Sequence, residues 1–440
     1  MEENKNENMW RRVSEAVYSK TPAKVLEKLA DDKDWEVRKA VAGNSNAPPE
    51  VLEELAKDEN NNVRYAVARN TKTSAKVLEG LAGDKIDSVR EAVAENSNTS
   101  EKVLEKLAED KVWRVRKAVA ENSKTPPKVL EKLAENGDYG IIYAVAKNPS
   151  ASEEILKKLA EYKENWTIRK AVVENPRATE DIEIIKKLAN DKEVVVRRTV
   201  AENSKTPEKV LEELADDKEG FVRAGVAGNP SVSEEVLEKL AEDKDWNVSE
   251  AAKRNLERRK IQNMAEASNS NTSKERLEKL AKDKNVVVRE AVAGNRNTPA
   301  EVLEELAGDE AVYVRIAVAG NRNTSEKVLE KLAKDDALEV RRAVAEILNT
   351  PKEEIFEALA KDKEWAVKVE VAENPNTPEK VLEELAKDVS SYIKGVVARN
   401  PNTSVKVLEE LKEDEDWAVR SAAIQSLALR KFHKYQDVEK

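Results

Sequence analysis

The chain has 440 residues, no cysteine and one histidine, and its 77 Lys and Arg against 87 Asp and Glu leave a net charge of −10. The missing cysteines exclude disulfides, thiolate metal sites and cysteine nucleophiles, and the acidic balance argues against general attachment to nucleic acid or anionic lipid, which needs clustered cations. With 40% apolar, 4% aromatic and 37% charged residues, the composition suits a thin core of Val, Leu and Ala inside a charged shell.

Residues 1–20 read as an N-terminal cap. The polar start contains no apolar leader, and no later stretch is apolar enough to span a bilayer, so cytoplasm is the expected compartment. The run Met9-Trp10-Arg11-Arg12-Val13 matches the second half of the repeat that follows. Heavy use of Lys and Glu matches a thermostable surface.

From Val25-Leu26 a Val-Leu-x-x-Leu-Ala signature returns fifteen times, ending at Leu408, and eleven of its fourteen intervals are 26 residues. The exceptions are 29 (156 to 185), 40 (237 to 277) and 27 (329 to 356). One supersecondary unit per period of this size predicts an all-α solenoid, because no copy can bury its apolar face alone.

The copy at 374–388 shows the first half clearly. Thr377 is expected to cap a helix with Pro378 at its first position and Glu379 at its positive end. Val381, Leu382, Leu385 and Ala386 then share one face. Fuller capping boxes are expected at Thr298 to Glu301 and Thr350 to Glu353. In the second half, seen at 32–44, Val37, Ala40 and Val41 predict a packing helix. A recurrent Asn, from Asn44 to Asn400, is expected to close it in the left-handed conformation.

The unit Asn-Pro-Asn-Thr-Pro-x-x-Val-Leu-x-x-Leu-Ala-x-Asp, continued by Val-Arg-x-Ala-Val-Ala, resembles the leucine-rich repeat variant family, a HEAT-like group, over residues 10–424. That resemblance implies a right-handed superhelix of paired short helices, one set of 3₁₀ character, and binding rather than catalysis. The iron–sulfur cluster that such proteins carry on a cysteine-bearing segment is not expected in a chain without cysteine.

Two columns cross the copies. An Asp after each first helix (Asp32, Asp58, Asp84 and onward) is followed six residues later by Arg (Arg38, Arg64, Arg90 and onward). Asn136 and Ile142 replace both together, which predicts that Asp and Arg interact, within a copy or between neighbours. The rival reading is a stripe of Arg that contacts phosphates or acidic peptides. Three residues before the Arg stand Trp35, Trp113, Trp166, Trp246, Trp365 and Trp417, where other copies hold residues as different as Asn61 and Gly220. That mixture predicts a half-exposed column, either covering seams or anchoring a partner.

Copies five to seven depart from the rule through Gly137, Gly140, Tyr162 in the Asp column, and Lys157 and Lys186 where the other thirteen copies place Glu. Residues 21–255 thus hold nine copies. Residues 256–269 are read as a helical insert or hinge, with Leu256, Ile261 and Met264 docking on the array and Arg254, Arg258 and Arg259 projecting as a basic contact. Residues 270–424 hold six more copies, and residues 425–440 form a C-terminal cap and tail through Ile424, Leu427, Leu429 and Phe432.

The solitary His433 offers no relay, and no phosphate loop, nucleophile elbow or metal motif occurs. No catalytic, cofactor or metal site is expected. The leading expectation is a non-enzymatic, monomeric scaffold that binds a protein or peptide along an extended surface. Alternatives are a nucleic-acid-binding helical-repeat protein, possibly directed at DNA bases, and a designed or stability-optimised scaffold without natural ligand.

Overall fold

A computed structural model describes the backbone of residues 2–347 and 353–438, and side chains within 8–347 and 353–431. The expected cap at Thr350 and the side chains of Phe432 and His433 lie outside the described residues. All regular structure among the described residues is helical: 31 α-helices and one 3₁₀ turn, Ala178–Glu180. First helices such as Ala23–Ala30 and Pro49–Leu55 alternate with second helices such as Trp35–Gly43 and Asn61–Arg69. Both sets are α-helical, so the 3₁₀ set implied by the family resemblance is not found here. The array is a helical-repeat solenoid made of two compact units, residues 1–256 and 257–440.

Each copy buries a stripe from both helices. In the helix Glu379–Leu385 these are Val381, Leu382 and Leu385, and in Trp35–Gly43 they are Val37, Val41 and Ala42. Second helices of neighbouring copies pack on one another more extensively than first helices do. Small residues permit that approach: a Cβ at Gly225 would lie 3.1 Å from the Cβ of Ala201 in the preceding second helix.

The connections differ from the sequence expectation in three ways. No non-glycine residue among those described has positive φ, and the Asn that closes each second helix is extended, with Asn70 at φ −71° and ψ 125°. Its side chain serves the stack instead. Asn70 Nδ2 donates to the Ala42 and Asn44 carbonyls of the previous copy at 2.7 and 2.9 Å, and its Oδ1 accepts from the Lys72 amide at 2.9 Å. This buried amide satisfies the Ala42 carbonyl, which the helix end would otherwise strand, and adds a second donor to the Asn44 carbonyl, which accepts the Ala47 amide at 3.0 Å.

Thr is the second difference. Thr377 is fully buried and donates back to the Val371 carbonyl, and Thr298 likewise bonds Val292, so the expected capping box there is absent. The hydroxyl closes the preceding helix because a Thr two positions outside the next one cannot reach its first amides. Third, Pro378 is itself the N-cap, at φ −59° and ψ 144°, and the helix begins at Glu379. Ser in that place caps by side chain in several copies, as Ser74 does toward the Val77 amide, whereas Ser100 makes no such bond.

Both ends reuse the same parts. Asn44 bonds the Ala16 and Tyr18 carbonyls at 2.7 and 2.9 Å, so the helix Glu2–Val17 stacks as a half copy. In the last helix, Trp417–Val438, Ser426 stands in for Asn toward the Ala398 carbonyl at 2.7 Å, and Arg430 covers the carbonyls of Pro401 and Thr403.

The fourteen extra residues belong to one continuous helix, Trp246–Ser268. Its first part ends on Asn255, bonded to Ala227 and Asn229 at 2.8 and 3.0 Å. Its last part supplies what a second helix supplies elsewhere: Ala267 is buried, its carbonyl accepts from Asn295 at 2.6 Å, and Asn263 donates to Asp283 at 2.8 Å. Residues 257–268 therefore take the place of a second helix that has no first helix of its own. Contrary to expectation, Ile261 and Met264 are exposed, at 55% and 38%. They fall two places before and one place after the Arg column, the places that Trp10 and Tyr65 hold on their own second helices. Leu256 is half-buried against the core of the first unit.

Candidate functional site

The Arg column is consumed by the stack. Arg64 sends Nε and Nη2 to the two oxygens of Asp84, twenty residues on, at 2.6 and 3.1 Å. Its Nη1 donates to the Asp58 and Glu59 carbonyls of its own copy at 2.7 and 3.1 Å. Asp84 Oδ1 also accepts the Ile86 amide at 2.9 Å. The same rung recurs from Arg12 with Asp32 to Arg341 with Asp362, and Lys368 and Lys394 make one-point versions with Asp388 and Asp414. Burial would raise the Asp84 carboxyl, but the Arg64 hydrogen bonds and the Ile86 amide outweigh it and hold the group below the usual carboxylate range.

Asp and Arg of one copy are thus not side-chain partners, and the Asn136 and Ile142 replacements break two different rungs. Asn136 leaves Arg116 without its carboxylate. Ile142 would face position 162, where Tyr162 replaces Asp, and that is the true joint loss. Tyr162 stacks edge-on with Tyr139 at 6.3 Å, and burial followed by the Glu164 hydrogen bond pushes its hydroxyl up to about 12.

The tryptophan column lies on the second helices. Trp113 and Trp166 are 49% and 40% exposed, Trp246, Trp365 and Trp417 are 71%, 63% and 73% exposed, and Trp35 is half-buried. Trp365 meets Tyr392 of the next copy edge-on at 6.3 Å.

Trp35 lines a large cleft, of about 780 Å³, on three successive second helices. Trp10, Val13 and Val17 form one wall, Trp35 and Ala40 the floor, and Tyr65 and Ala66 the far side. Cations sit over the rings, Lys39 Nζ 5.9 Å from Trp35 and the Arg69 guanidinium 5.9 Å from Tyr65. Glu36 is the one acidic lining residue. Such a surface accepts an apolar side chain and holds a negative group beside it. Sequence reasoning missed Trp10 and Tyr65. Their signal is that they stand two before and one after the Arg column, an i, i+3 pair of columns sharing the outer face of the second helix.

The other candidates are dispersed. Lys157 is bound to Glu153 and, at 2.9 Å, to Asp181, Lys158 to Glu131 at 3.0 Å, and Lys187 to Glu161. Lys186 lies 3.8 Å from Glu183. The reversed charge in these copies is thereby met by carboxylates of the array. In the long helix Arg254 pairs with Glu250 at 3.3 Å, Arg258 is exposed and Arg259 half-buried. No group of three or more His, Cys, Asp or Glu among the described residues is arranged to hold a metal, and no helix among them is long and apolar enough to cross a membrane.

A family model described as Leucine rich repeat variant matches residues 35–60 and 286–311, each running from a second helix into the first helix of the next copy. Two segments of the chain thus match the leucine-rich repeat variant pattern. Among solved structures it is similar to a leucine-rich repeat variant with a repetitive structural motif, at 22% identity over 60% of this chain and 87% of that one, TM-score 0.23. An engineered protein is 17% identical over 92% and 98% of the two chains, TM-score 0.23. A structure of Kap95p binding RanGDP is 12% identical over 95% of this chain and 60% of that one, TM-score 0.26. No curated protein matches. The fold assignment rests on the chain's own helices and rungs.

Proposed function

We propose that this leucine-rich repeat variant solenoid is a non-enzymatic, monomeric, cytoplasmic scaffold that binds a protein through a peptide segment laid across its second helices. The observation that carries the reading is the aromatic cleft of Trp10, Trp35 and Tyr65. Its Lys39 and Arg69 favour a segment that places an apolar anchor next to an acidic residue. The exposed tryptophans further along, Trp113, Trp166, Trp246, Trp365 and Trp417, extend the same kind of surface within each unit. Nucleic-acid binding through the Arg column loses support because those guanidiniums are held in rungs with Asp.

Peptide display against the purified protein, counter-selected on Trp35→Ala, tests this reading. Enrichment of segments with an apolar residue beside Asp or Glu, lost in the variant, is the expected result. Equal recovery on both proteins, or binding of nucleic acid with a steep salt dependence, would refute it.

A further inference from the structure

The broken rung at Arg116 leaves a shaped edge pointing into a cleft. Arg116 is held as Arg64 is, with Nη1 donating to the Asp110 and Lys111 carbonyls at 2.7 and 3.1 Å. In the neighbouring rung the remaining edge, Nε and Nη2 of Arg90, grips Asp110 at 2.6 and 3.0 Å. At Arg116 that edge meets no carboxylate within hydrogen-bond distance among the described residues. Asn136, in the Asp place, turns its amide back to the Lys132 carbonyl at 3.3 Å, and Asp138 approaches Nη2 only to 3.9 Å while 72% exposed.

The backbone explains the opening. The first helix of this copy runs on to Asn136, as Pro127–Asn136, where most others end at the second Leu or the Ala after it. Position 136 is therefore helical and exposed, and does not turn inward as Asp84 does. Gly137 then leaves the helix so close to it that a Cβ would lie 2.4 Å from the Leu133 carbonyl oxygen. The result is a cleft of about 690 Å³ bounded by Arg116, Lys128 and Lys132, with Glu105 on the preceding first helix and Glu109 in the turn after it.

We propose that this cleft binds a carboxylate, taken up by Nε and Nη2 of Arg116 in the place that Asp holds in the other rungs. Three features select the ligand class. The guanidinium fork matches two coplanar oxygens. Its orientation is fixed beforehand by the two carbonyls, so little freedom is lost on binding. Lys128 and Lys132 supply cations for a second carboxylate beside the fork, which a compact phosphate does not carry, and this favours a dicarboxylate or an acidic segment over phosphate. The volume admits a small dicarboxylate or an acidic side chain with its flanking residues. This site is separate from the aromatic cleft and does not depend on it.

Isothermal titration calorimetry with succinate, with a capped Gly-Gly-Asp-Gly-Gly peptide, with its Asn counterpart and with inorganic phosphate tests the proposal. The Arg116 Nε–H resonance locates the event. Succinate or the Asp peptide is expected to bind at least about tenfold more tightly than phosphate or the Asn peptide. The tighter of the two carboxylates tells a small-molecule ligand from an acidic segment of a protein. Lys132→Ala, an exposed change, should weaken binding several-fold, and Arg116→Gln should abolish it with the helical circular dichroism retained. Binding that survives in Arg116→Gln, a shift absent from the Arg116 resonance, or a preference for phosphate would overturn the assignment.

Discussion

Removing one half of a rung should cost far more than removing both. In the Arg64–Asp84 rung the side chains are 10% and 7% exposed and joined at 2.6 Å. Asp84→Ala strands the Nε and Nη2 donors and frees the Ile86 amide, while Nη1 keeps its two carbonyls. Losing one partner of a buried pair costs about 3–5 kcal/mol, and the retained Nη1 bonds place this case near the low end, at about 3 kcal/mol. Replacing both partners with apolar groups, as in Arg64→Met with Asp84→Leu, should cost less than the single change because no charge is left behind. Long arrays do not unfold as one unit, so the assay is native-state hydrogen exchange over residues 61–95, read locally. A loss of 3 kcal/mol appears as roughly hundredfold faster exchange there, with distant copies unchanged. A single variant that exchanges like the native chain, or a double variant as destabilised as the sum of its parts, would refute the claim that the rungs are cooperative pairs.

Further outcomes follow from the same geometry. Asn96 donates to the Ala68 and Asn70 carbonyls at 2.7 and 3.0 Å, and the Asn70 carbonyl also accepts the Thr73 amide at 3.0 Å, so Asn96→Ala should cost about 1–3 kcal/mol from the one buried carbonyl it strands, that of Ala68, measured by the same exchange. The rung carboxyls of Asp58, Asp84, Asp335 and Asp362 sit below their usual range when folded. Their contribution is therefore complete above the unfolded value of about 3.9 and disappears as pH falls through the lower folded values. Urea midpoints should hold from pH 7 to about 5 and drop steeply below about 4, and a flat profile to pH 3 would contradict it. Gly137→Ala should destabilise by about 1–3 kcal/mol through the clash with Leu133. In contrast Gly80→Ala, on an exposed helix position with open space around it, should stabilise by about 0.5–1 kcal/mol in thermal melts.

Local chemistry settled much of this protein. The 26-residue recurrence, the Val-Leu-x-x-Leu stripe and the small residues of the second helix are properties of single copies, and they determined an all-helical stack, its N-terminal half copy and the outward tryptophan column. Partner choice between copies was a different matter. In a periodic chain an Asp and an Arg six residues apart are also, counted the other way, twenty residues apart in neighbouring copies, and pattern alone cannot separate the two. Stacking decided it: the guanidinium spans its own turn with Nη1 and reaches the next copy with its other edge. The same holds for Asn70 and Thr377, whose short polar side chains cap helices in isolation. In the stack their nearest unsatisfied groups are carbonyls of the previous copy for Asn70 and of the preceding helix for Thr377, so both donate instead of adopting the local motif. The cleft joining Trp10, Trp35 and Tyr65 exists only because three second helices lie side by side, and the open edge of Arg116 only because its partner position is in another copy.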